Sequence, residues 1–218
     1  MSKKLVLGLL GGMGSGKTAV GNALARHGAL VISGDLLGHE ALRQGPISAW
    51  AVQRWGPEIL DGAGEVDRVK VAGIVFAAPD ELRELEAQVF PWIRRKMQEA
   101  ITAAETDEEV QLIVLDAAVL LEAGWDDLCD RLVYVDAPRE LRLQRLTQKR
   151  GWTLKEVIDR EDNQIPLTEK LNRADAVLDN SGTPVDLAAQ VTRLLQGWGL
   201  AAVPEVHDDP CQNRSGRV

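Results

Sequence analysis

A chain of 218 residues accommodates one domain with elaborations and can bury a full core without disulfide staples. With 33 acidic residues against 25 basic ones and a net charge of −8, it lacks the excess of cations that displaces counterions from a nucleic-acid backbone, which excludes a general nucleic-acid binder. Two cysteines, Cys129 and Cys211, are too few for a disulfide framework and point to a reducing cytoplasm, and no apolar run reaches the length of a membrane span.

The first element in chain order is the apolar stretch 5–10. It follows Met1-Ser2-Lys3-Lys4, but glycines and Lys17 interrupt it before a signal-peptide core can form, so it reads as a buried strand. Gly11-Gly12-Met13-Gly14-Ser15-Gly16-Lys17-Thr18 follows at once and fits G-x-x-x-x-G-K-[ST]. Glycines let the backbone turn its N–H groups inward, the next helix adds the positive end of its dipole, and together they hold a polyphosphate. Lys17 reaches the β/γ-phosphates and Thr18 offers its hydroxyl to Mg²⁺ in this reading. A chance match in a chain of this length arises roughly once in a hundred.

Strands are expected next at 30–32, 112–115, 132–135 and 176–178, each ending at polar or glycine residues. Short apolar runs alternating with helical patterns predict an α/β fold with a parallel sheet of five strands flanked by helices, whose ligands bind beyond the carboxyl ends of the strands. Asp35 follows the second strand through Ser33-Gly34, where a carboxylate can take a proton from an attacking hydroxyl or hold Mg²⁺; capping the helix that begins at Leu36 is the alternative. Asp116 ends the third strand and is a further Mg²⁺ candidate, with strand termination as its plain role.

The interval from Asp35 to Asp107 reads as helical, punctuated by Pro46, Pro57, Pro79 and Pro91, and is too long for a simple crossover. Trp50, Trp55 and Trp92 fall within it, with core packing expected first and a binding wall second. A second helical excursion from Pro138 to Lys170 carries Arg139, Arg142, Arg145, Lys149, Arg150 and Arg160, cations that can surround a migrating phosphoryl group. The last helix, 184–198, aligns Leu187, Val191, Leu194 and Trp198 on one stripe. His27, His39 and His207 show no metal-ligand spacing, and His27 is expected at the surface. Residues beyond Gly199 read as a disordered tail.

The succession of motifs resembles the dephospho-coenzyme A kinase family across residues 5–195. It consists of the phosphate loop; Val31-Ile32-Ser33-Gly34-Asp35; Leu120-Leu121-Glu122; Val133 to Pro138; Gln144-Arg145; Arg160 with Gln164; Lys170; Ala174-Asp175; and Asn180-Ser181-Gly182. The resemblance implies a P-loop NTPase fold with a nucleotide-binding core (1–35, 108–136, 174–199), a helical acceptor-binding insert (36–107), a lid (138–173) and a tail (200–218). The implied reaction moves the γ-phosphoryl group of ATP, with Mg²⁺, to the ribose 3′-hydroxyl of dephospho-coenzyme A.

By position, Asp35 matches the catalytic carboxylate, Lys17 the catalytic lysine and Arg145 the lid arginine. Gly12, Met13, Gly14, Ser15, Gly16, Lys17, Thr18, Ala19, Asn180 and Gly182 match the nucleotide contacts, and Thr18, Asp35 and Asp116 the metal site. The chain departs from the family pattern at Ser33, His39, Phe90, Leu10 and Lys149, where Asp, Arg, His, Thr and Arg are usual. The departures at Ser33, His39 and Phe90 keep another small metabolite or nucleotide open as acceptor. A GTP switch finds only Asp35-Leu36-Leu37-Gly38 and no Asn-Lys-x-Asp, and an inactive relative is at odds with an intact Lys17.

Overall fold

The computed structural model describes residues 3–200. Its centre is a parallel five-stranded sheet in the order β2-β3-β1-β4-β5, formed by β1 (Val6–Leu10), β2 (Ala29–Ser33), β3 (Leu112–Asp116), β4 (Arg131–Asp136) and β5 (Ala176–Asp179). All five expected strands are present. Every side chain of β1 is buried, as a central parallel strand covered on both faces demands. Full burial of one such Leu or Val contributes about 1.5–3 kcal/mol.

Two apolar layers cover the sheet. On one face, α1 (Lys17–Ala25) and α9 (Pro184–Gly197) pack Val20, Leu24, Leu187, Val191 and Leu195 against Leu7, Leu9 and Val133. On the other face, Val6, Leu10, Ile113 and Leu115 meet helices that lie between β2 and β3 in sequence, α2 (Gly34–Leu42), α3 (Gly45–Trp55) and α5 (Pro79–Glu105), while α4 (Arg68–Val75) packs on α5. A satellite core of Ala51, Ile59, Val71 and Val75 joins α3, a 3-10 turn at Pro57–Ile59 and α4. Three further helices follow β4, namely α6 (Arg139–Arg150), α7 (Leu154–Glu161) and α8 (Leu167–Asn172).

Several expectations change. Pro46, Pro57 and Pro79 stand at helix starts, but Pro91 lies inside the 27-residue α5. Its missing N–H forfeits one bond, to the Ala87 carbonyl, and the exposed ring is carried on the solvent side while Val89, Ile93 and Met97 anchor the helix to the core. His27 is buried, not on the surface, with Nδ1 lacking a partner, because it falls three residues after Leu24 and seven after Val20, in line with the buried stripe of α1. The tryptophans of the insert do pack as expected: Trp50 and Trp55, edge to face with each other, lie against the satellite core, and Trp92 lies against the main core, where Trp125 is buried edge-on to Phe90 at 5.1 Å between ring centroids. The expected tail, 200–218, with Cys211 and His207, lies outside the described residues except for Leu200.

Candidate active site

The phosphate loop leaves β1 and enters α1 through glycines at positive φ, 75° at Gly14 and 96° at Gly16, which is the helix N-cap. A side chain at Gly14 would also meet the Arg142 backbone carbonyl at 2.6 Å, so both conformation and space require glycine. Gly12 and Ser15 are buried, Met13, Gly14, Gly16 and Lys17 half-buried, and Thr18 and Ala19 exposed at the start of the helix. The Ser15 hydroxyl is buried without a hydrogen-bond partner, an orphaned donor in the cradle itself.

Lys17 Nζ donates to the Gly11 carbonyl at 3.0 Å and, more weakly, to that of Gly12 at 3.4 Å. Burial lowers the Lys17 ammonium from its ordinary value; Asp116 opposes the shift, Lys170 adds to it, and Asp35 and Glu122 also oppose it. Thr18 Oγ1 donates to Asp116 Oδ2 at 2.8 Å, joining the first turn of α1 to the end of β3. Burial raises the Asp116 carboxyl, the Thr18 bond and Lys17 pull it back, and the Asp35 charge raises it further. A second positive charge among Thr18 and Asp116 oxygens would relieve that cost, and hard oxygen donors are what Mg²⁺ takes.

Asp35 reaches this cluster because β2 pairs with β3 in a register that sets Ser33 beside Asp116. Gly34 then lets α2 start close to the sheet, since a Cβ there would lie 2.7 Å from that of Ala117. The capping role considered for Asp35 belongs to Ser33, whose hydroxyl accepts from Leu36 N, so the exposed Asp35 carboxylate is not committed to the cap. His39 follows one turn later, and its Nδ1 receives Arg68 Nη1 at 3.2 Å.

Cations of α6 hold the loop from outside. Arg142 is buried, donating to the Met13 carbonyl at 3.2 Å and to Glu161 of α7 at 2.8 Å. Arg145 donates to the carbonyls of Ser15 at 3.2 Å, Gly14 at 3.4 Å and Asn180 at 2.8 Å. Asn180 returns from the end of β5 and donates its side-chain amide to the Ser15 carbonyl at 2.7 Å. Gly182 lies farther out, exposed and beside the Asp186 carboxylate. Lys17, Thr18, Asp35 and Asp116 thus share one electrostatic neighbourhood, and Arg145 and Asn180 brace the loop.

Three arrangements were not assigned roles by sequence reasoning. The buried Lys170 pairs with Glu122 at 2.7 Å, and the same Glu122 oxygen accepts from Ile165 N at 3.0 Å, fastening the α8 segment to the loop after β3. The Arg160 guanidinium stacks on Phe76 at 4.3 Å and on Trp152 at 4.2 Å, joining the end of α4 to the α6–α7 segment. Arg142 sits one turn before Arg145 on α6, and that i, i+3 spacing was the available signal for a shared face.

Comparison with known proteins agrees with this geometry. The family model described as dephospho-CoA kinase matches residues 5–186. The dephospho-CoA kinase of Bacillus licheniformis is 38% identical over 199 residues, covering 89% of this chain and 96% of that protein. That of Gloeobacter violaceus is 39% identical over 191 residues, covering 87% and 91%. A crystal structure from Thermus thermophilus superposes with a TM-score of 0.74 at 33% identity, covering 90% of this chain and 98% of its own. Shikimate kinase from Acinetobacter baumannii, at 21% identity and a TM-score of 0.51, shares the fold. On these grounds the chain belongs to the dephospho-CoA kinase family, with the P-loop kinase fold.

Proposed function

We propose that this protein transfers the γ-phosphoryl group of ATP to the ribose 3′-hydroxyl of dephospho-CoA, giving CoA and ADP. The observation that carries the reading is the meeting of a complete phosphate loop with Asp35, which β2–β3 register brings to the same sheet edge as Asp116. Lys17 binds the β/γ-phosphates, exchanging the Gly11 carbonyl for phosphate oxygens, and the loop amides from Gly12 to Ala19 cradle the chain of phosphates. Asp35 accepts the proton of the 3′-hydroxyl as that oxygen bonds to the γ-phosphorus, while the bond from phosphorus to the bridging oxygen breaks and ADP departs.

Thr18 and Asp116 would hold the Mg²⁺ that accompanies ATP, with Asp35 close by. Bound there, it would supply neutralisation of the charge that develops on the phosphate oxygens. Arg145 and Asn180 keep the loop in shape, and Asn180 with Gly182 borders the adenine. Residues 36–107 form the acceptor-binding insert, and 138–173 the lid whose arginines attend the transfer. Cytoplasmic residence accords with the absence, among the described residues, of any helix long and apolar enough to cross a membrane.

The test is ADP release with ATP, Mg²⁺ and a panel of hydroxylated acceptors. Dephospho-CoA is expected to be the preferred acceptor. No ADP above background with it, together with turnover of another acceptor, overturns the assignment.

A further inference from the structure

Asp35 and His39 stand at i and i+4 of α2, on one face of the helix and about 6 Å apart along its axis. Arg68, the first residue of α4, crosses from a separate element to place Nη1 3.2 Å from His39 Nδ1. A guanidinium has no lone pair to offer, so the bond has one direction: Arg68 donates and Nδ1 accepts. The imidazole is therefore neutral with its hydrogen on Nε2. Burial, Arg68 and Arg43 all hold the His39 pKa down, and only Asp35 pulls the other way.

The result is a face on which a carboxylate, an imidazole and a guanidinium lie in sequence. The Asp67 side chain caps α4 through Val69 N and Lys70 N, which fixes the backbone from which Arg68 extends, and Arg68 is an exposed residue. An acceptor with its 3′-hydroxyl at Asp35 carries its 5′-diphosphate across the width of a ribose, a span comparable to the separation of Asp35 and His39 along the helix. Planar, paired donors suit phosphate oxygens, and a neutral imidazole orients the guanidinium without cancelling its charge.

We propose that Arg68, oriented by His39, binds the diphosphate of the acceptor and so sets which end of the acceptor meets Asp35. This rests on the reading that the acceptor is dephospho-CoA, and it assigns Arg68 to acceptor binding, distinct from the ATP phosphates held at Lys17. The role of Arg68 is recognition, and that of His39 is positioning.

The experiment is isothermal titration of the full-length protein with dephospho-CoA and, separately, with ATP, for wild type, Arg68→Lys, Arg68→Ala and Arg68→Glu. Dephospho-CoA is expected to bind about tenfold more weakly to Arg68→Ala, equivalent to ~1.4 kcal/mol, less weakly to Arg68→Lys and most weakly to Arg68→Glu. ATP affinity is expected to stay within about twofold throughout, which also reports an intact fold. Equal dephospho-CoA affinity across the four proteins, or equal weakening of ATP, overturns the inference. A wild-type protein that fails to bind dephospho-CoA overturns the functional reading itself and this inference with it, so the two failures are told apart by the wild-type titration alone.

Discussion

Thr18 and Asp116, 98 residues apart in sequence, meet at 2.8 Å between Oγ1 and Oδ2 and join the helix that follows the phosphate loop to the strand end beside it. Asp116→Asn keeps a hydrogen-bond partner for Thr18 but removes the charge. The Mg²⁺ concentration giving half-maximal activity is expected to rise by about tenfold, a loss near 1.4 kcal/mol. Activity titrated against Mg²⁺ at saturating ATP checks this, and an unchanged midpoint would remove Asp116 from the metal site.

Asp35 is free of the capping duty that Ser33 performs, so its replacement tests chemistry more than stability. Asp35→Asn is expected to lower kcat by about 10²- to 10⁴-fold, the range of a general base, with the KM for ATP little changed. Steady-state kinetics beside a thermal melt separate the two effects. A fully active variant would show that another group takes the proton.

Arg142 is buried, and its partner Glu161 is partly exposed. Glu161→Ala strands the guanidinium against the Met13 carbonyl alone and is expected to destabilise the fold by about 3 kcal/mol, the low end for breaking a buried pair. Urea unfolding measures it. A loss under ~0.5 kcal/mol would place the pair with ordinary surface bridges.

Burial pushes the Cys129 thiol up to about 12 from an ordinary 9.0, with Asp126, Asp130 and Asp127 adding to the shift. Near pH 8 the folded protein therefore carries roughly a thousandfold less thiolate at this position than an unshifted thiol. Iodoacetamide labelling followed by peptide mass spectrometry is expected to leave Cys129 unmodified until denaturant is added. The sign for stability follows: a raised acid pKa in the folded state means this contribution is whole below pH 9 and is lost as pH rises from there toward 12.

Strands and the phosphate loop were legible because their signals are local. An all-apolar run such as 112–115 ending in Asp116 has few other ways to fold, and four glycines before Lys17-Thr18 describe a backbone shape. Pro91 misled because a proline's local penalty of about 3 kcal/mol is outweighed when Val89, Ile93 and Met97 on the same helix enter the core. His27 misled because its polarity was weighed above its place, i+3 from Leu24 and i+7 from Val20 on the buried stripe of α1. Pairs such as Glu122 with Lys170, or His39 with Arg68, join separate elements and have no periodicity to read. Their partners are chosen by the fold, and only the assembled elements bring them together.

The phosphate loop occupies residues 11–18, yet the Asn180 amide on the Ser15 carbonyl comes from 165 residues downstream, and the Arg145 clamp reaches it from about 130 residues away. A ribosome that has delivered the loop has not delivered the parts that fix its shape. Nucleotide binding is consequently acquired late in synthesis, after β5 has docked at the sheet edge, and a prematurely terminated chain bears the signature of an ATP site without the means to hold it rigid.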